Sequence, residues 1–167
     1  YPKETLDSLM NILGTHDTAR ILTVLGGIHC QNKDEMAQNT AYLSPKDKEN
    51  AIKKLKMAAV LQFTLPGVPC IYYGDENGME GHIDPFCRQC FDWTNLNEDL
   101  IDFYKNLGKM REIYRNIFKS GNFEDLRVED GFIYFKRQIK NDCIYTYVNN
   151  SSKNYQINIG NKKYVDC

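Results

Sequence analysis

The sequence predicts two fold classes in succession, an α/β part built of parallel βα units and then a small all-β part. Three observations carry this. Two apolar runs, over residues 9–13 and 68–73, each lead into polar and ionisable groups, as strands do when they deliver side chains to the mouth of a parallel barrel. A helical pattern lies between them, so strand, helix and strand follow one another as in a βαβ crossover. Beyond Ser120-Gly121-Asn122 the chain turns to β-rich runs separated by turn residues, which is the pattern of antiparallel hairpins.

Residues 9–13 are short and apolar, and Gly14 closes them; they read as a buried strand. After Asp17 and Thr18 a helix is expected over 19–25, stopped by Gly26-Gly27. Residues 28–42 are polar and irregular, a loop with some helix. Ser44-Pro45-Lys46-Asp47 then opens a long helix: Ser44 can cap, Pro45 suits the first turn, and Asp47 completes a capping box. Ile52, Leu55, Ala59 and Phe63 follow at helical spacing and give one apolar face. Pro66-Gly67 ends it. Residues 68–73 are β-rich and apolar on both parities, as in a strand covered on both faces. Residues 74–95 form a long loop, and loops of that length in a compact domain usually serve function. Asn97 can cap a last helix with Leu100, Tyr104, Leu107 and Tyr114 on its buried face; Gly108 weakens it by about 1 kcal/mol relative to Ala. Strands are expected over 132–135, 143–148 and 155–159, and the chain stops at Tyr164-Val165-Asp166-Cys167 inside what reads as another. The parts divide as 1–119 and 120–167.

The chain has 167 residues, with 42% hydrophobic and 26% charged residues, which is a globular rather than a disordered composition. A net charge of -1 gives no electrostatic case for nucleic acid or an anionic membrane. It begins at Tyr1, and no apolar run approaches membrane-spanning length. The six cysteines are scattered through a chain too large to need a disulfide framework, so free thiols in the cytoplasm are expected. Cys87-Arg88-Gln89-Cys90 has C-x-x-C spacing. A zinc site needs four ligands, and only His82 and Asp84 stand near; loop thiols are the simpler reading, and no metal is expected.

The two strand-end segments, Leu13-Gly14-Thr15-His16-Asp17-Thr18-Ala19-Arg20 and Gly67-Val68-Pro69-Cys70-Ile71-Tyr72-Tyr73-Gly74-Asp75-Glu76, resemble the α-amylase family of glycoside hydrolases. Asp84-Pro85-x-x-Arg88 and Phe91-x-Trp93 follow in the family's order. Thr15 in the first segment makes it more similar to the neopullulanase, cyclomaltodextrinase and maltogenic amylase branch than to secreted α-amylases. Cys90 is a departure, since the family often has proline there. The resemblance implies that residues 1–119 are the last part of a TIM (β/α)8 barrel, strands 7 and 8 with their helices, and that 120–167 are most of a β-sandwich domain, with truncation at both ends.

It also implies roles. Asp17 would be the third catalytic carboxylate, which grips the hydroxyls of the ring being cleaved and favours an oxocarbenium-like transition state. His16 would bind the same ring, and Asp84 with Arg88 a sugar further along. Asp75 and Glu76 would serve the rim. The nucleophile and the general acid would lie upstream. A retaining α-glucan hydrolase needs both, roughly 5 Å apart, so the fragment itself is expected to be inactive, and any calcium would belong to the upstream part. The expected partner is an α-glucan oligosaccharide; an isolated partial barrel is also expected to be a marginal monomer or to self-associate.

Each residue has a plainer reading. Asp17 could cap the helix beginning near Ala19. His16 could be a hydrogen-bonded rim histidine, and Asp84 with Arg88 a loop ion pair. Tyr72 and Tyr73 fit barrel packing, Trp93 fits anchoring of the loop before the last helix, and Tyr134, Tyr145, Tyr147 and Tyr155 fit sheet packing. Two other functions stay open: a further activity on the same scaffold (branching enzyme, isomerase or α-1,6-glucosidase), and a non-catalytic carbohydrate-binding module built on the last sheet.

Overall fold

A computed structural model describes residues 1–28, 32, 34, 35 and 43–157. In chain order it contains α1 (Lys3–Asp7), β1 (Met10–Ile12), α2 (Ile21–Leu25), α3 (Pro45–Thr64), β2 (Val68–Cys70), a 3-10 turn (Asp75–Asn77), α4 (Glu98–Ile113), α5 (Arg115–Ser120), β3 (Asn122–Glu129), β4 (Phe132–Ile139) and β5 (Asp142–Asn149). The expectation for 28–42 falls almost wholly outside the described residues, and that for the strand at the chain's end does so completely.

The first half is a βαβ unit. β1 and β2 pair in parallel, with Met10 opposite Val68 and Ile12 opposite Cys70, so the loops that follow them leave from the same edge. Both strands are shorter than the apolar runs suggested. They are also not covered on both faces: Met10 is 68% exposed, and Ile12 and Val68 are exposed too. An apolar run reports a preference for burial, and the covering layer has to come from elsewhere. Gly67 is required at the entry to β2. Its φ is +110°, and a Cβ there would sit 2.6 Å from the Leu9 carbonyl, so any side chain would be strained twice over.

α3 is the central helix. The Asp47 amide donates to Ser44 Oγ at 3.2 Å, and Pro45 occupies the first turn. Asp47 bonds the Ser44 hydroxyl at 2.6 Å, where a complete capping box would use the Ser44 amide. Ala51, Leu55, Ala59 and Phe63 are buried and form one core with Leu22, Leu43, Leu100, Tyr104 and Leu107; each fully buried leucine contributes about 2 kcal/mol. Gln62 joins this helix to both strands. Its amide donates to the Asn11 carbonyl at 3.0 Å and to the Cys70 carbonyl at 2.9 Å. Asn11 returns a bond to the Gln62 carbonyl at 3.2 Å.

α4 starts at Asn97, whose side chain accepts from the Leu100 amide at 3.1 Å. Leu100, Tyr104 and Leu107 are buried as expected, but Tyr114 is 42% exposed. Helix spacing stops applying there, because Tyr114 ends α4 with a φ of -100°. Arg111 donates to the carbonyls of Phe63 at 2.7 Å and Gly67 at 3.1 Å, which satisfies the carboxyl end of α3.

The second half is an antiparallel sheet in the order β3-β4-β5. β3 was not anticipated: Asn122–Glu129 is mostly polar and lies exposed along its whole length, so it carries no alternation to read. Residues 155–157 are not strand, and Asn158 and Ile159 lie outside the described residues. Among the described residues this part is a single sheet with α5 and α3 packed against it, rather than a sandwich of two sheets. Most of its aromatic residues are paired with one another: Phe132 stacks on Tyr155 at 4.0 Å, Phe123 tilts on Phe135 at 5.2 Å, and Tyr134 stacks on Tyr145 at 6.0 Å, whereas Tyr147, expected to pack in the sheet, is exposed. Arg137 of β4 is fully buried. It donates to the Phe118 carbonyl at 2.8 Å and lies 3.7 Å from Asp7 of α1, so it ties the sheet to both ends of the first half.

Candidate active site

The residues singled out along the sequence gather at the carboxyl edge of the β1–β2 pair. The segment after β1 carries Gly14 to Arg20. The segment after β2 carries Tyr72 to Glu76, then runs on through Asp84 and Arg88. The parallel pairing alone places these two segments side by side.

Asp17 is free of the helix behind it. α2 begins at Ile21 with Arg20 as its N-cap residue and has no side-chain cap, so the capping alternative for Asp17 falls. Its side chain is 69% exposed. Asp17 Oδ1 accepts from Arg88 Nη2 at 3.3 Å, and Oδ2 lies 3.2 Å from His16 Nε2. Arg88 Nη2 also lies 3.0 Å from Asp84 Oδ1, so one guanidinium joins both carboxylates. Arg88 Nε donates to the His16 carbonyl at 3.0 Å, and the Cys87 thiol donates to the same oxygen at 3.1 Å. His16, Asp17, Asp84 and Arg88 thus form one cluster. It exposes carboxylate oxygens, an imidazole and a guanidinium edge on one surface, a donor and acceptor set suited to the paired hydroxyls of a sugar.

Asp75 does not reach that surface. It is 3% exposed and lies beneath the cluster, against Gly14 on one side and the Arg20 guanidinium on the other. Burial pushes its carboxyl up to about 6, against the pull of Arg20. Glu76 accepts from the Gly74 amide at 2.8 Å and so holds the turn. Tyr72 and Tyr73 lie beyond the end of β2, Tyr73 in the turn that follows, rather than in the strand. Their rings meet edge to face at 4.7 Å and both pack against Arg20, with the guanidinium carbon 4.3 Å and 4.5 Å from the two centroids. Burial, and then the neighbouring Tyr73, push the Tyr72 hydroxyl up to about 12, so it stays neutral and donates to the Cys87 carbonyl at 3.4 Å. Tyr73 donates to the Gln89 carbonyl at 2.7 Å.

Two residues carry more than their sequence context suggested. Arg20 has no apolar periodicity to mark it, and only its place between Asp17 and a following Tyr-Tyr-x-Asp run hints at a cage. Cys87 reads as a loop thiol but is buried on the His16 carbonyl. Trp93 goes the other way: it is highly exposed and touches Phe91 at 4.5 Å, so it does not anchor its loop. Asp92 does. Its carboxylate accepts from the Thr94 amide and hydroxyl and from Asn95, which hold it down at about 2. Among the described residues no three His, Cys, Asp or Glu side chains are placed to hold a metal ion, and no helix is long and apolar enough to cross a membrane.

Polar side chains collected on the loops that follow parallel strands are the arrangement of a βα-barrel site. The sequence model of the alpha-amylase family (alpha amylase, catalytic domain) matches residues 2–125. The amylopullulanase of Thermoanaerobacter thermohydrosulfuricus is 37% identical over 99% of the chain, which spans 11% of that protein. A cyclomaltodextrinase from a Bacillus species is 33% identical over 94% of the chain, which spans 25% of it. Among solved structures, a cyclomaltodextrinase superposes with a TM-score of 0.69 and 32% identity over 90% of the chain and 22% of its own. An alpha-amylase from Geobacillus thermoleovorans, solved in complex with acarbose, gives 0.68 and 29% over 87% of the chain and 28% of its own. The chain belongs to the alpha-amylase family. It spans between 7% and 26% of the length of curated relatives such as these.

Proposed function

We propose that this chain is the C-terminal segment of a retaining α-glucan hydrolase, with residues 1–119 forming the last two βα units of a TIM barrel. The substrates are maltooligosaccharides, cyclodextrins or pullulan, cleaved at α-1,4 and, in some of them, α-1,6 bonds. The single observation that carries this reading is the state of Asp17: an exposed carboxylate at a strand's carboxyl end, not used as a cap, held by Arg88 and next to His16.

In this reading Asp17 stabilises the transition state. Its fixed negative charge faces the positive character that develops at the anomeric carbon, and its oxygens accept from ring hydroxyls whose hydrogen bonds strengthen as the ring flattens. His16 donates to the same ring. Asp84 and Arg88 bind a sugar further along on the non-reducing side, and Arg88 links that subsite to Asp17. The nucleophile and the general acid come from earlier strands of the same protein. No cofactor acts through this segment. We place the protein in the cytoplasm, on the cysteine usage: Cys70, Cys87, Cys90 and Cys143 are free thiols.

The test is Asp17→Asn in the intact enzyme, assayed on maltoheptaose and β-cyclodextrin. Turnover should fall by about a hundredfold to a thousandfold, the usual cost of losing one transition-state contact, while the melting temperature stays within a few degrees. Near-normal turnover would remove Asp17 from the chemistry. The rival reading, a binding module on the last sheet, requires several sugar-stacking rings aligned on an open face; six of the sheet's rings are paired with one another and Tyr147 is an exposed ring but not an aligned set, which argues against it.

A further inference from the structure

Asp17 has a positioning problem. It is mostly exposed, and its side-chain partners His16 and Arg88 are exposed as well. A carboxylate that stabilises a transition state must be held to within about half an ångström, and exposed partners do not hold a loop that well. The rigidity has to come from beneath.

Beneath it lies a buried ion pair. Arg20 is 1% exposed. Its guanidinium packs against the adjacent rings of Tyr72 and Tyr73, Nη1 donates to the Tyr73 carbonyl, and Nη1 lies 3.5 Å from Asp75 Oδ1. The other oxygen of Asp75 faces Gly14 so closely that a Cβ there would come within 2.5 Å of it. One carboxylate therefore touches both ends of the segment that carries His16 and Asp17, Gly14 before them and Arg20 after. The Arg20 amide adds a third tie, donating to the Gly81 carbonyl at 2.9 Å.

We propose that Arg20 and Asp75 are positioning residues for catalysis: the buried pair locks the Gly14 to Arg20 segment onto the loop after β2 and so fixes where Asp17 meets the sugar. The inference rests on the α-glucan hydrolase reading above and deepens it.

Energetics favour placement over bulk stability as the pair's role. At 3.5 Å the contact is an ion pair without a hydrogen bond, and Arg20 Nε, Arg20 Nη2 and Asp75 Oδ1 are buried with no hydrogen-bond partner. Unsatisfied buried charge of this kind costs stability, and an apolar pair of equal volume would pack the site at least as well. What an apolar pair cannot do is prescribe direction. A planar cation packed against two adjacent rings, bonded to the Tyr73 carbonyl and facing one carboxylate is restricted in direction, and the missing side chain at Gly14 is what lets that carboxylate sit there. Arg88 and Cys87 then set the middle of the segment through the His16 carbonyl.

The experiment uses the intact enzyme as wild type, Asp75→Asn, Arg20→Lys and Asp17→Asn. For each, kcat and KM on maltoheptaose, the melting temperature and the imidazole proton chemical shifts of His16 are measured, the last assigned by their loss in His16→Gln. Asp75→Asn keeps shape and removes charge; Arg20→Lys keeps charge and removes the planar fork. Positioning predicts that both lower kcat by about tenfold to a hundredfold, the scale of a small misplacement, with KM changed less than about threefold. It also predicts that the His16 shifts move while the protein still melts cooperatively. A lowered melting temperature with kcat and the His16 shifts at wild-type values would overturn it and leave the pair a structural one. The Asp17→Asn control separates the two claims. If it turns over like wild type, the hydrolase reading fails, and the His16 shifts in Asp75→Asn and Arg20→Lys still decide whether the pair orients this segment.

Discussion

At the scale of single residues, the site divides into groups that face solvent and groups that hold them. Asp17, His16, Asp84 and Arg88 face outward; Arg20, Asp75 and Cys87 do not. Asp75 shows the difference most clearly, because its titration reports burial. Its folded value, about 6, lies above the ordinary 3.8. The folded protein therefore holds a proton that the unfolded chain has already lost over that interval. The stabilisation is fully present below about pH 4 and is lost as pH rises through about 6. The charged and titratable groups that face it are Arg20, Glu76 and Tyr104. Urea unfolding of the intact protein between about pH 4 and pH 7 should show stability declining more steeply in wild type than in Asp75→Asn. Equal slopes would mean that Asp75 ionises as though in water.

At the scale of elements, the two long helices are the parts with their own start signals. Ser44 and Asn97 each accept from an amide in the first turn. Asn97 does more. Its own amide donates to Asn77 Oδ1 at 2.7 Å, so the start of α4 is fastened to the turn that follows Asp75. Asn97→Ala should cost about 1 kcal/mol of stability from the lost cap, measured by chemical denaturation, and should leave the amide bond to Asn77 in place. Gln62 has the opposite character. Nothing in its local sequence marks it, yet one side chain crosslinks α3 to β1 and β2. A polar residue on a buried helix face is explained only by the strand carbonyls opposite it.

At the scale of the whole molecule, the two-stranded sheet leaves apolar side chains uncovered. Met10, Ile12 and Val68 share one face of the pair and are exposed on it. Two strands with one face bare are not stable alone in water. The chain prepared by itself is therefore expected to self-associate or to melt with little cooperativity. Light scattering and a melt repeated at several concentrations would check this, and a monomer with a sharp, concentration-independent transition would count against it. Arg137 acts at the same scale. It is the buried link between the sheet of the second half, α5 and α1, so loss of either half should be felt in the other.

The sequence by itself determined the βαβ order, the long helices with their caps, the change to hairpins near Ser120, and the family, because these depend on local pattern: periodicity, capping side chains, turn residues and two short strand-end motifs. It did not give β3, whose exposed polar strand has no alternation, nor the end of α4 before Tyr114 leaves the buried face. Tertiary structure alone decided that Asp17 is no helix cap, that Asp75 is buried instead of on the rim, and that Arg20 packs on Asp75 and Cys87 on the His16 carbonyl. Each of these is a contact between segments far apart in the chain, Gly14 and Arg20 with Asp75, His16 with Cys87. Such contacts follow from the parallel pairing of β1 with β2, and no local pattern encodes them.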